Sequence, residues 1–377
     1  MVYYFGYYKS KYIEDYAPNG SINAISFKMG YIIKKIKEAG YDLTVISSYI
    51  SDKNGYCPFK KVVVDKKQTD YYLPTLRLQG AFSKLTGAFR LLSMIVYLFL
   101  IVKRNSTIIV YHFPDFSPIF IMLKKIKKLK VILEVEEIFY RNNKSTDAMK
   151  TKVREERMFH YADGYIVVND LIYKKYLDNT KKHIVVYGSY DLKDVEYPRC
   201  KDGKIHVLFS GSIDKVRGAF LAVSVAKYLP QNYCLHMTGS GTQENVKALV
   251  SQIVCSNSKE NHCQIIYHGQ LSDDELNKLA CSCAIGLNLQ DVENPFEEVS
   301  FPSKITFYLL HGLNVISTRM SSVMASRLKN CVEFADSNPE DVAKTIKNLQ
   351  LRTGEENRSC VLQMNQELKE ELQWLIE

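Results

Sequence analysis

Phe209-Ser210-Gly211-Ser212-Ile213-Asp214-Lys215-Val216-Arg217-Gly218 joins two kinds of sequence. Residues 205–210 lead into it as an apolar run of strand length, and residues 217–229 leave it as a helix stopped at Pro230. A strand that ends on glycine and turns straight into a helix is the repeating unit of doubly wound α/β sheets. The pattern spreads outward. Downstream, strands are expected at 233–238, 264–268, 284–289 and 314–318. Helices are expected from the capping box Ser272-Asp273-Asp274-Glu275, over 303–311 as far as Gly312, after Asn338-Pro339, and over 363–376. Upstream, strands at 2–5, 42–47, 61–65, 107–111, 130–135, 164–168 and 183–187 alternate with helices over 22–39, 79–103, 116–129 and 147–161. The last of these helices is read with Arg154, Glu155 and Glu156 outward. Short apolar strands spaced by helices imply parallel sheets buried on both faces.

The chain has 377 residues, and domains of roughly 100–200 residues make two the natural count. The expected class is α/β, with two tandem Rossmann-like doubly wound domains and a cleft between them as the default binding place. Residues 1–190 form the first domain, 191–360 the second, and 361–377 a terminal helix, with the polar stretch 188–204 as the join. An apolar share of 46% with 24% charged excludes a disordered chain, a collagen and a small disulfide scaffold. Fifty Lys and Arg against 41 acidic residues leave +9, which favours anionic partners without choosing among phosphate, lipid headgroup and nucleic acid.

Nine cysteines, with no C-x-x-C pair, read as free and mostly buried thiols of a reducing cytosol. Gly6 and Lys9 follow too soon after Met1 for a secretory signal, so a cytoplasmic location is expected. Residues 91–102 are apolar between Arg90 and Lys103-Arg104. A membrane span needs about 20 residues, so this segment is read as a buried helix.

Ligands of such sheets bind beyond the carboxyl ends of the strands. In the opening segment, Gly211 and Ser212 allow close backbone approach, while Lys215 and Arg217 supply positive charge at a helix start: the parts of a diphosphate cradle. Phe301-Pro302-Ser303-Lys304 opens another helix, where Ser303 and Lys304 suit a second phosphate oxygen. Gly239-Ser240-Gly241-Thr242 lacks the third glycine of a dinucleotide fingerprint and suits a tight turn beside a nucleoside base. In the first half, Asn19-Gly20-Ser21 follows the first strand and is placed at the acceptor, as is His112 at the end of the strand 107–111. Strand alternation puts Glu134 and Glu136 on one face, and Glu136 or Glu137 can position an acceptor hydroxyl.

Other chemistries lack their signatures. There is no Walker A pattern, no H-E-x-x-H and no Asp-x-Asp pair, so a metal is not expected and a diphosphate has to be held by protein cations and amides. The run Lys124-Lys125-Ile126-Lys127-Lys128-Leu129-Lys130 makes a basic amphipathic helix suited to an anionic membrane. No nucleic-acid motif accompanies it, so nucleic acid is not an expected partner.

Taken together, Phe209-Ser210-Gly211-Ser212 with Arg217-Gly218, Met237-Thr238-Gly239-Ser240-Gly241, Tyr267-His268-Gly269 before Leu271-Ser272-Asp273-Asp274-Glu275, and Phe301-Pro302-Ser303-Lys304 through Gly312 and Val315-Ile316-Ser317-Thr318 resemble glycosyltransferase family 4, of the GT-B fold. The resemblance is looser in the first half, through Gly40, Ala162-Asp163-Gly164 and Val185-Val186-Tyr187-Gly188.

It implies a nucleotide-sugar donor, UDP-linked, in the second domain and a glycan acceptor in the first. It also implies a terminal helix crossing back to the first domain, a retaining reaction and no metal. The family's cationic pair on the diphosphate falls on Lys215 and Arg217. Where the family grips donor ribose with a glutamate this chain has Phe307, with Glu298 upstream, and where it has a strand-end histidine this chain has Glu136. The expectation is a transferase acting on a lipid-linked glycan acceptor for surface polysaccharide, peripheral on the inner face of the membrane. The alternatives are a non-catalytic homologue that scaffolds a partner, and a nucleotide-sugar epimerase.

Overall fold

A computed structural model describes the chain except residues 11–12, 14–19, 49–53, 81–82, 143–146, 192–199, 201, 259–261 and 295–296. Two compact units are present. The first comprises Met1–Val168, Ile172–Ser189 and Glu367–Glu377, and the second Asn169–Leu171 and Tyr190–Gln366.

The first unit runs β1 (Val2–Gly6), α1 (Gly20–Glu38), β2 (Leu43–Ser47), β3 (Gly55–Cys57), β4 (Lys60–Asp65), β5 (Gln68–Tyr72), β6 (Thr75–Arg77), α2 (Ser83–Ile101), β7 (Thr107–Tyr111), α3 (Ser117–Lys127), β8 (Lys130–Val135), α4 (Phe139–Asn142), α5 (Ala148–Tyr161), β9 (Gly164–Val167), α6 (Asp170–Tyr176) and β10 (Lys182–Val185). Eight strands form one sheet in the order β10-β9-β8-β7-β1-β2-β5-β4. The central strands β1 and β2 are buried at every residue, as apolar strands covered on both faces must be.

Three expectations fail here for physical reasons. The strand at 61–65 is not parallel: β4 pairs antiparallel with β5, which the sequence reading missed. Only Lys66 and Lys67 join them, and a parallel return needs a dozen residues or more. Glu155 does not point outward. It is fully buried, accepting from the amides of Phe139 (2.9 Å) and Tyr140 (2.8 Å) and so holding the start of α4. Nor is the apolar segment 91–102 a buried helix. In α2 only Ser93, Met94 and Leu98 are enclosed.

The second unit runs β11 (Ile205–Ser210), α7 (Ala219–Ala226), β12 (Tyr233–Thr238), α8 (Gln243–Asn257), β13 (Gln264–Tyr267), α9 (Asp273–Ser282), β14 (Ile285–Asn288), α10 (Lys304–Leu310), β15 (Asn314–Thr318), α11 (Ser321–Met324), β16 (Val332–Ala335), α12 (Pro339–Asn348) and the first part of α13 (Gly354–Ile376), whose residues from Glu367 onward belong to the first unit. Its six strands are all parallel, in the order β13-β12-β11-β14-β15-β16. Val207, Phe209, Leu235, Met237, Ile265 and Leu287 build the core beneath α7 and α12. Ser272 and Glu275 form the expected capping box, and the Asn338 side chain accepts from the Asp341 amide at 2.9 Å. Helix α8 was not expected, because its first turn is polar, but Thr242 caps it through the Asn245 amide at 3.2 Å. Cys331 and Cys360 are joined by a disulfide, which corrects the reading of all nine thiols as free. The pair shares no short spacing that sequence could show.

Candidate functional site

In the second sheet the chain winds from β11 to β13 on one side and then from β14 to β16 on the other. The gap between the ends of β11 and β14 is therefore the topological switch point, where doubly wound sheets bind ligands. Glycine turns are packed together there. Gly211 has φ +149° and Gly239 φ +141°, and a Cβ on Gly239 would lie 1.8 Å from the Gly211 carbonyl oxygen. The Gly239 amide donates to Gly269 (2.9 Å) and the Ile213 amide to Ser240 (2.9 Å), so the loops after β11, β12 and β13 support one another.

Helix α10 enters the same gap. Tyr308 is its anchor, wholly buried, its hydroxyl accepting from the Ser210 amide at 2.8 Å and donating to the Leu287 carbonyl at 3.3 Å. The ring lies on Gly286, where a Cβ would come within 2.4 Å of it. One helical turn earlier, on the same side, stands Lys304. Part of its stem reaches solvent, but its ammonium is enclosed and has no hydrogen-bond partner among the described residues. Nζ lies 4.6 Å from the centre of the Phe209 ring and 3.2 Å from where a Gly211 Cβ would sit. Burial, and then the nearby Arg217 guanidinium, bring its pKa down from 10.5 to about 7, against the opposing pull of Asp214. The loop is braced by the Arg217 amide on Asp214 at 2.6 Å.

Gly211, Arg217 and Lys304 are thus brought together. Arg217 is itself exposed, as are Ser212, Lys215, Ser240, Gly241 and Ser303 at the rims of the same loops. Ser303 does not cap α10 with its hydroxyl; its carbonyl accepts from the Phe307 amide at 3.1 Å. Glu298 is half-buried, while neighbouring Glu297 accepts from the Ser321 amide at 2.6 Å and holds the start of α11. Phe307 is half-buried, its ring centre 4.2 Å from that of His311.

In the first unit the carboxylates at the end of β8 are already engaged. Glu134 is fully buried and accepts from the Tyr4 hydroxyl. Burial, then Glu136, push its pKa well above the usual carboxylate range, while Lys28 works the other way. Lys28 of α1 pairs with Glu136 and donates to the Val186 carbonyl at 2.8 Å. Alternation found the two glutamates but not which is dry, and nothing in the sequence marks Lys28, 108 residues away. Glu137 is half-buried.

His112 sits in the core rather than at an open strand end. It is 1% exposed, lies against Phe139 and Phe159, and has Nε2 3.5 Å from Glu155. Burial lowers its pKa to about 3, so it stays neutral. Gly20 is the first residue of α1, and Asn19 lies outside the described residues.

The basic run is partly absorbed by the fold. Lys124 binds Asp163 (2.6 Å) and the Tyr161 carbonyl (2.5 Å), Lys127 the Phe99 and Val102 carbonyls, and Lys130 the Ile376 carbonyl (3.1 Å). Lys125 and Lys128 remain exposed. Away from the switch point, ligand atoms of His206, Cys234 and His236 lie within 4.8 Å of one another. The two rings bond each other at 2.7 Å, with Asp202 on the far side of His206 (3.0 Å) and His268 on the far side of His236 (2.9 Å). All four ring nitrogens of His206 and His236 are therefore already satisfied, as a buried polar chain requires.

No family model matches the chain, and no curated protein matches it. Solved structures do. OtsA in its apo form superposes with a TM-score of 0.65 at 11% identity, over 98% of this chain and 96% of that one. HepE from Anabaena, in complex with UDP, gives 0.64 at 11%, over 99% and 100%. Sucrose-phosphate synthase from Thermosynechococcus elongatus gives 0.62 at 11%, over 100% and 95%. This chain has the fold those proteins share, two Rossmann-like α/β domains of the GT-B type.

Proposed function

We propose that this protein is a glycosyltransferase whose donor is a nucleotide-diphosphate sugar with UDP as carrier. The observation that carries the reading is the enclosed, unpartnered ammonium of Lys304 at the switch point, beside Arg217 and against bare glycine backbone. A buried ammonium with no hydrogen-bonded acceptor, and only the more distant pull of Asp214 against Arg217, is unfavourable unless a ligand supplies the acceptor. A diphosphate does so, and Gly211 and Gly239 let it approach the main chain. HepE, alike in fold, is described in complex with UDP.

In this reading Lys304 and Arg217 stabilise the negative charge that develops on the departing diphosphate, with Lys215 and Ser303 at the rim. The bond from the sugar's anomeric carbon to phosphate breaks, the bond to the acceptor hydroxyl forms, and the acceptor proton passes to the leaving phosphate oxygen, which gives retention. Two protein cations do the work a metal would otherwise do, so none is required. Ser240 and Gly241 border the nucleoside, and Glu298 takes the place nearest the donor sugar. Glu136 and Glu137 position an acceptor hydroxyl, with the Lys28 pairing fixing Glu136. The acceptor is a lipid-linked glycan for surface polysaccharide, met by a cytoplasmic enzyme peripheral to the membrane.

The test is UDP binding by calorimetry and by shift in melting temperature. Lys304→Met is expected to weaken UDP binding roughly ten- to a hundredfold, the worth of a charged hydrogen bond at about 1.5–3 kcal/mol. It should also raise the melting temperature of the ligand-free protein, because an uncompensated charge is gone. UDP affinity unchanged in Lys304→Met sinks the assignment. Phe307, at the position of the family's ribose-gripping glutamate, favours a second reading as a donor-binding homologue without turnover. Release of sugar from a UDP-sugar by the purified protein rejects that one.

A further inference from the structure

Helix α2 reads SKLTGAFRLLSMIVYLFLI and is long and apolar enough to cross a membrane, yet only 17% of that apolar window is buried. Leu85 (52%), Leu92 (61%), Val96 (43%) and Leu100 (75%) are exposed. Steps of seven, four and four residues set these four on one stripe of the helix. Beside this stripe the helix is fixed to the first unit, where the Ser93 hydroxyl donates to the Pro74 carbonyl at 3.1 Å and the Tyr97 ring stacks on Phe59 at 4.7 Å, and on the side opposite it Met94 and Leu98 are buried. Contiguous apolar surface of this kind marks a place of interaction.

The neighbouring helix extends it. Lys127 of α3 binds the Phe99 carbonyl of α2 and the Val102 carbonyl just past its end, which ties the two helices together. On α3, Met122 (38%) and Ile126 (53%) are exposed, and they line a groove with Pro118, Ile121, Lys125 and Arg157. The charge around this surface has one sign. From residue 83 to residue 130 there are nine Lys or Arg and a single acidic residue, Asp115. Lys84, Lys103, Arg104, Lys125 and Lys128 are exposed.

We infer that α2 and the adjoining face of α3 are the docking surface for an anionic lipid bilayer, with α2 lying in the plane of the interface. Its leucines enter the boundary between headgroups and acyl chains, and the exposed cations meet lipid phosphates. The helix does not span, because Ser93, Met94 and Leu98 belong to the core of the unit. A second copy of the chain is a poor occupant, because a two-fold contact would set like charge against like charge. The surface deepens the glycosyltransferase proposal, on which its purpose of bringing a lipid-linked acceptor within reach rests. It moves the membrane contact from the lysine run alone, much of which is engaged within the fold, to an apolar stripe rimmed by cations.

The test is flotation of the full-length protein with phosphatidylcholine vesicles, with and without phosphatidylglycerol. The wild type should float with the anionic vesicles, and high salt should weaken that binding. Leu92→Glu/Leu100→Glu should reduce it more than tenfold. Lys103→Gln/Arg104→Gln/Lys125→Gln/Lys128→Gln should reduce it several-fold and remove the salt dependence. Both variants alter exposed residues and should keep the wild-type far-ultraviolet circular dichroism and melting shift with UDP, which separates failure of the surface from failure of the donor site. Wild type that stays in solution with anionic vesicles overturns the inference, as does a double-glutamate variant that floats like wild type. A wild-type dimer that the same variant dissociates, with neither form floating, overturns it in favour of a subunit contact.

Discussion

Lys304 is held by its surroundings in a state that lysine does not adopt in water. Burial and Arg217 bring its pKa to about 7 from 10.5, so above neutrality the folded protein has released a proton that the unfolded chain keeps. The unfolded state then binds more protons between these values, and stability rises with pH across that window. Comparing wild type with Lys304→Met by urea unfolding, the variant's advantage should be largest near pH 7 and shrink toward pH 10. An advantage independent of pH rejects the shifted lysine. A bound diphosphate favours the charged form, so UDP binding above neutrality should draw a proton from buffer, seen as a calorimetric heat that changes with the buffer's ionisation enthalpy. The sequence marked Lys304 only as a residue at a helix start. Its ammonium is set against Phe209 and Gly211, which lie outside its own helix, and periodicity along either segment does not reveal their convergence.

Glu155 makes the same point among the elements. One side chain of α5 accepts from the first two amides of α4 while His112 stands against it. Burial raises its pKa to about 7. Glu155→Ala leaves those two amides without their acceptor and should lower stability by roughly 3–6 kcal/mol, at about 1.5–3 kcal/mol for each hydrogen bond to a charged group. Glu155→Gln, which keeps one acceptor, should lose less. Urea midpoints decide it, and a loss in the alanine variant below about 0.5 kcal/mol, the scale of an ordinary surface change, removes Glu155 as an anchor.

Most strands and helices were legible because apolar runs and glycine stops are local signals. Glu155 was misplaced because its helix has charge on several faces, and α2 because an apolar run reads as core whether or not anything covers it. The hairpin of β4 and β5 was missed because the Lys66-Lys67 turn carries neither glycine nor asparagine.

For the whole molecule, the decisive segment is the last one. Glu367–Glu377 belongs to the first unit. Leu368, Leu372 and Leu375 are buried there, the Gln373 amide reaches the Ala39 carbonyl at 2.9 Å, and Lys130 and Lys182 bind carbonyls of the segment. Three buried leucines at about 1.5–3 kcal/mol each are a large part of a domain's stability. Deleting residues 367–377 should lower the melting temperature of the first unit by roughly 10–30 °C, at about 2–4 °C per kcal/mol. Hydrogen exchange should locate the loosening at β8, β9 and β10, while the β-strands of the second unit stay protected. Unchanged protection in those three strands rejects the role given to the segment.

A ribosome makes this polypeptide from the other end, and domains made first generally fold first. The stretch that begins at Met1 does not have that freedom, because eleven of its residues, 367–377, are translated only after the second unit. Until that segment is made, Gly164 lacks the leucine that comes to lie against it, Leu375. The opening half is therefore expected to become complete only once residues 367–377 have been made, after the half that follows it in the gene.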